Sequence, residues 1–201
     1  AARKVGRVFR HAAGYAMSYY LASALLYPWF RHYEHHRSLS LLEAFPWVRS
    51  FWRKMACSIM ERKVLPRLTT AWSRKFSLVP LQVHHDAQVR VHSRFDSVED
   101  FIRQVMESFA RHAPEFTHLV IKHHPMDRGY YDYAGLIKEY ARSLGIAGRV
   151  ISIHDQHLPT LLDHALGVVV ANSTVGLSAL DHGLPVKACK SAVYDMEGLT
   201  Y

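Results

Sequence analysis

The sequence predicts an α/β fold, a parallel sheet covered by helices on both faces, preceded by a basic helical segment. Three observations carry this expectation. Short apolar, β-branched runs recur five times between residues 77 and 188. Stretches of helical period separate them, with cap and turn residues at the joints. Before residue 76 the chain changes character, to Arg, Trp and Tyr with breaks at Pro28, Pro46 and Pro66. Apolar strands alternating with helices are the pattern of a sheet buried on both sides.

The elements follow in order. SLVPLQV (77–83) is the first strand. DSVEDFIRQVMESFARH (96–112) is a helix capped by Asp96 or Ser97, with apolar residues at 98, 101, 102, 105, 106 and 109 on one face. HLVIK (118–122) is the second strand, and 131–144 a helix that ends at Gly145. RVISI (149–153), a short helix from Pro159 to Ala165, GVVVA (167–171), a helix from Thr174 to about His182, and LPVKA (184–188) complete a Rossmann-like unit. Ligands of such sheets bind at the carboxyl ends of the strands. That rule puts loops 84–96, 122–130, 154–158 and 172–174 on one binding rim.

The 201 residues are 49% hydrophobic, enough for a real core, and the net charge of +8 is unevenly spread. Residues 1–75 hold 14 Lys and Arg against 3 Asp and Glu, while residues 76–201 hold 11 against 14. We therefore expect two parts, a basic aromatic-rich helical segment (1–75) and a Rossmann-like α/β domain (76–201). The first suits a polyanionic or membrane-surface partner. A start at Ala1-Ala2 and an end at EGLTY read as a fragment, incomplete at its C-terminus. Cys57 and Cys189 make no disulfide framework, which favours a reducing compartment. Residues 12–30 contain no charged side chain or His but carry four Tyr, two Ser, a Gly and a Pro. A buried helix is favoured there over an interfacial or spanning one.

Three rim stretches carry candidate chemistry. In ANSTVGLSALDHG (171–183), Asn172, Ser173 and Thr174 precede a helix whose free N–H groups suit a phosphate or carboxylate, and Gly176 allows close approach. In KHHPMDRG (122–129), Lys122 suits a phosphate, His123 or His124 can donate a proton, and Pro125 fixes the turn. In LQVHHDAQVRVHS (81–93), Asp86 is a candidate nucleophile or base. Ordinary caps and surface loops are the plainer reading of each stretch alone. HYEHH (32–36) and HDQH (154–157) have metal-box spacing, but no zinc-type Cys/His set accompanies them, so no metal is expected. Arg31, Arg37, Arg49, Arg53, Lys54, Arg62, Lys63 and Arg67 could follow a phosphate backbone, but no nucleic-acid module appears, so no nucleic-acid partner is expected.

Taken together, VPLQVHHDAQVRVHS, VIKHHPMDRGYYDY and VVVANSTVGLSALDHGLPVKAC…AVYDMEGLT, in this order and spacing, resemble bacterial capsule polysaccharide biosynthesis proteins of the KpsS/LipB type. The similarity runs from about residue 77 to the end, and YPWFRHYEHHRSLSLLEAFPWVRSFWRK is similar to the region preceding those motifs. The resemblance implies half of a GT-B-like β-Kdo glycosyltransferase. Its donor would be CMP-Kdo and its acceptor an anionic, phosphatidylglycerol-type lipid. Transfer with retention would take place at the cytoplasmic face of the inner membrane, where the protein is peripheral and meets other capsule assembly proteins. By position, His124-Pro125 matches the motif that binds CMP, Ser173 and Thr174 match the one that holds its phosphate, and Asp86 falls at the candidate nucleophile. Arg31, His35, His36 and Arg37 would meet the lipid or the Kdo carboxylate. No cofactor is implied. Lys190 stands where the family leads one to expect Gly, so that rim loop differs. A nucleotide-sugar enzyme of another GT-B class and a non-catalytic membrane-peripheral component are the alternatives.

Overall fold

The computed structural model describes residues 14–15, 18–19, 21–23, 25–30, 32, 44–83, 97–189 and 192–201. The chain forms two compact units, Ala1–Trp47 and Val48–Tyr201. In the first, residues 14–15, 18–19, 21–23 and 25–26 are helical, with a turn at 27–29. Among the described residues no helix is long and apolar enough to cross a membrane.

Helix α1 (Ala44–Met60) and the short α2 (Val64–Thr69) lead into the second unit. Its five strands are β1 (Phe76–Pro80), β2 (His118–Lys122), β3 (Val150–Ile153), β4 (Gly167–Val170) and β5 (Val186–Ala188). Every pairing is parallel and the order is β3-β2-β1-β4-β5. Phe76 pairs with His118, Ser77 with Gly167, Leu119 with Val150 and Val168 with Val186. The α/β parallel sheet expected from the alternation is thus present.

Two cores sandwich the sheet. Val79, Leu81, Leu119 and Ile121 face α3 (Val98–His112) and α4 (Ala134–Ser143). Phe76, Leu78, Val120, Val168 and Val170 face the other way, toward α5 (Leu158–His164) and α6 (Val175–Asp181). Helix α3 forms where its period required: Ser97 accepts the Asp100 N–H at 3.1 Å, Glu99 and Asp100 sit at the positive end of the helix dipole, and the six predicted apolar positions are buried.

Two boundaries move for local reasons. β1 stops at Pro80, although Leu81 still donates to the Lys122 carbonyl at 2.8 Å. Helix α4 begins at Ala134 rather than 131, because the Asp132 carboxylate accepts the Ala134 N–H at 3.0 Å and Tyr130 and Tyr131 belong to the preceding turn. The compact units also part at 47/48 rather than near 75/76. Leu68 and Trp72 are buried with Phe76, Leu161 and Leu162, so the last third of the basic segment packs against the sheet.

Candidate functional site at the sheet rim

The chain leaves β1 toward β2 and β3, then returns to place β4 on the other side of β1. The carboxyl ends of β1 and β4 therefore flank the topological switch point, the crevice where open α/β sheets bind ligands. Gln82, just past β1, donates from Nε2 to Asn172 Oδ1 at 2.6 Å, tying the two loops across that crevice. Ser173 Oγ accepts the Val175 N–H at 3.3 Å, which leaves its own hydrogen available to an anion. Thr174 occupies the N-cap position of α6 without a side-chain cap bond.

Gly176 serves a different contact from the one expected. A Cβ there would run into the Tyr194 ring, whose hydroxyl donates to the Ser173 carbonyl. The glycine lets Tyr194 brace the turn from behind, a role that needs no ligand.

The KHHP stretch divides its work equally unexpectedly. Lys122 is buried and its Nζ donates to the His154 carbonyl at 3.1 Å, with burial pulling its pKa down. It points into the protein rather than along the rim. His123 is 3% exposed and stacks on His154, ring centroids 4.0 Å apart. Burial, then the neighbouring His154, push its pKa down to about 3, and the enclosed ring does not reach the rim surface where a proton donor was expected. His124 remains on the rim, half-buried, and caps the 3-10 turn Pro125–Gly129 by accepting the Met126 N–H at Nδ1, 3.2 Å away. With Nδ1 accepting, the ring N–H lies at Nε2, a donor.

Behind this turn lies a polar network that the sequence reading missed. Glu61, 7% exposed, accepts from the His154 N–H at 2.7 Å, the Asp155 N–H at 3.1 Å and Gln156 Nε2 at 3.1 Å. His154 Nδ1 is 3.2 Å from the same carboxylate. Burial raises the Glu61 pKa, but these donors outweigh it and the net shift is downward. Arg53 of α1 pairs with Asp132 at 2.5 Å, and Arg128 with Asp155 at 2.8 Å. The two histidines of HDQH diverge: His154 turns inward while His157, exposed, bonds Thr160 Oγ1 at 3.0 Å. Asp86, Arg31, His35, His36, Arg37 and Lys190 lie outside the described residues.

A sequence profile of the Capsule polysaccharide biosynthesis protein family matches residues 1–201. The chain belongs to this family. It is 47% identical over 189 residues to the Capsule polysaccharide export protein KpsS of Escherichia coli, covering 94% of this chain and 49% of that protein. It is 44% identical over 170 residues to the Capsule polysaccharide modification protein LipB of Neisseria meningitidis serogroup A, covering 84% and 41%. The chain thus spans about half the length of the curated relatives it matches. Among solved structures, Thermosulfurimonas dismutans KpsC, a beta Kdo 2,7 transferase, aligns with a TM-score of 0.48 and 22% identity, covering 78% of this chain and 50% of that one.

Proposed function

We propose that this member of the capsule family carries the donor-binding part of a GT-B-type β-Kdo glycosyltransferase that takes CMP-Kdo and transfers Kdo, with retention, to a phosphatidylglycerol-type lipid. The observation that carries this reading is the switch-point crevice, where Gln82 and Asn172 lock the β1 and β4 loops together beside the Ser173-Thr174 turn and the His124-Pro125 turn closes β2. A CMP leaving group departs as a phosphate monoester anion and needs donors that are already oriented. The Ser173 and Thr174 hydroxyls and the Nε2–H of His124 supply them on one rim.

Retention requires two displacements. Asp86 would attack the anomeric carbon, its oxygen bonding as the bond to CMP breaks and the electron pair leaves on the phosphate. The lipid hydroxyl would then attack the same carbon, releasing the Asp86 carboxylate as its electron pair returns to oxygen, and its proton would pass to the phosphate of the departed CMP. No metal enters this sequence.

Helix α1 supports a membrane-surface acceptor. Val48, Phe51, Trp52, Met55 and Ile59 form one exposed apolar stripe, flanked by Arg49, Lys54, Arg62 and Lys63, and residues 44–60 contain no acid. Exposed aromatics beside cations suit the interface of an anionic bilayer, on the cytoplasmic leaflet in this reading.

Calorimetric titration of the chain with CMP, UMP and ADP tests the donor site. CMP should bind in preference, and Ser173→Ala and His124→Ala should each weaken it about tenfold, the loss of one charge-assisted hydrogen bond. A folded chain that ignores CMP, or binds it equally in both variants, overturns the reading.

A further inference from the structure

We propose that His123, Asp132 and His154 form a binding site for one divalent transition-metal ion of the zinc class, seated behind the His124-Pro125 turn. One ligand atom from each residue lies within 4.8 Å of the other two, close enough for a single ion to bridge them after small side-chain adjustments. The three come from the end of β2, the lead-in to α4 and the end of β3, so an ion there would fasten three rim segments together.

Two further observations point to a ligand. Both ring nitrogens of His123 are buried without a hydrogen-bond partner among the described residues, although the ring is 3% exposed. A neutral imidazole offers one N–H and one lone pair, and leaving both unmade in the interior is costly. His154 Nε2 is likewise buried without a hydrogen bond, 3.7 Å from Asp132 Oδ1. That separation is long for a hydrogen bond and suits two ligands of one ion.

The surroundings have the form of a metal site's outer shell. Glu61 is held as a carboxylate by its backbone and Gln156 donors, and His154 Nδ1–H donates to it. That bond directs the His154 lone pair to Nε2, toward Asp132, the carboxylate–histidine–metal arrangement that orients a ligand and raises its basicity. Arg53 occupies Oδ2 of Asp132, which fixes the carboxylate with Oδ1 on the His154 side. Two imidazoles and one carboxylate favour zinc-like ions over magnesium, and water can take the fourth position. The site is positional. It pins the turn that carries His124 and takes no part in bond breaking, so it stands whether or not the donor reading does. Sequence spacing conceals it because its ligands are separated by 9 and 22 positions.

The competing arrangement is a protonated His154 bridging Glu61 and Asp132 with no metal. To decide, the full chain is stripped with chelator and titrated with Zn2+ alone and with Mg2+ alone, followed by calorimetry and thermal denaturation. One equivalent of Zn2+ should bind with a Kd of about 1 µM or tighter and raise Tm, with no response to Mg2+. Co2+ should give a visible ligand-field spectrum that Zn2+ abolishes. Asp132→Asn, at a partly exposed position that leaves the core intact, and His154→Gln should weaken Zn2+ at least about 100-fold. Glu61→Gln should weaken it about 10–100-fold while leaving the stoichiometry unchanged. His157→Ala, on the outer side of the same loop, should change nothing. Failure of the wild-type chain to bind Zn2+, or binding that Asp132→Asn leaves intact, overturns the proposal. Should His154→Gln not fold, the wild-type and Asp132→Asn titrations decide alone.

Discussion

Glu61 gives the sharpest test of how the rim is held. Its carboxylate accepts two backbone N–H groups, from His154 and Asp155, and the Gln156 amide, and it lies beside the His154 ring. Replacing Glu61 with Ala removes every one of these acceptors at once. A buried donor left unpaired costs about 1–3 kcal/mol, and hydrogen bonds to charged groups contribute about 1.5–3 kcal/mol. Asp155 and Gln156 are only partly buried, so water recovers part of the loss there, while the His154 amide is enclosed. The expected destabilisation of Glu61→Ala is therefore about 2–4 kcal/mol. Glu61→Gln keeps one acceptor oxygen but sets an amide NH2 against the remaining donors, so it should fall between wild type and Ala. Urea unfolding followed by circular dichroism, in chelator so that no bound cation masks the loss, measures both. An m-value equal to that of wild type would show that the folded ensemble is the same. A loss below about 0.5 kcal/mol for Ala, the range of an ordinary surface change, would refute the view that this carboxylate organises the β3–α5 loop.

Three other outcomes follow from the same geometry. Gly176→Ala drives a methyl into the Tyr194 ring and should cost about 1–3 kcal/mol by overpacking; the double variant with Tyr194→Leu should recover most of it, as read by Tm. His118 stacks on Trp72 at 3.6 Å, and burial, then Arg67, Arg149 and Lys75, lower its pKa below the ordinary 6.5. Below pH 6.5 the unfolded chain therefore holds the extra proton, stability falls with acidification, and His118→Phe should narrow the urea-midpoint difference between pH 7 and pH 5, buried His123 keeping the remainder. Phe51→Ser with Trp52→Ser should reduce partition onto vesicles of anionic lipid by about tenfold or more, since each aromatic is worth about 1.5–3 kcal/mol when fully buried; unchanged sedimentation with vesicles would remove α1 from the lipid-facing surface.

What the sequence disclosed and what it hid divide along the range of the interactions. The sheet, α3 and the rim were legible because their signals are local: the period of Val98 to Phe109, the Ser97 cap and the β-branched runs all lie within one turn or strand. The capsule family was legible because three rim motifs keep their order. The network behind the rim was not, because its bonds join Arg53 to Asp132 across 79 positions and Glu61 to His154 across 93. No window of sequence contains both ends of such a bond. Within the KHHP stretch the point where the chain leaves a sheet covered on both faces decides the outcome. Lys122 and His123 are buried and His124 reaches the surface, so only one of three adjacent titratable groups can meet a ligand. The two inward groups are not redundant. Lys122 grips the His154 carbonyl and His123 stacks on the His154 ring, so both brace the β3 loop on which Glu61 also closes. A rim that is to hold a ligand in fixed geometry needs such support beneath it. The titratable cluster that first marks this stretch is thus mostly foundation, with His124 the member of the KHH run that reaches the surface.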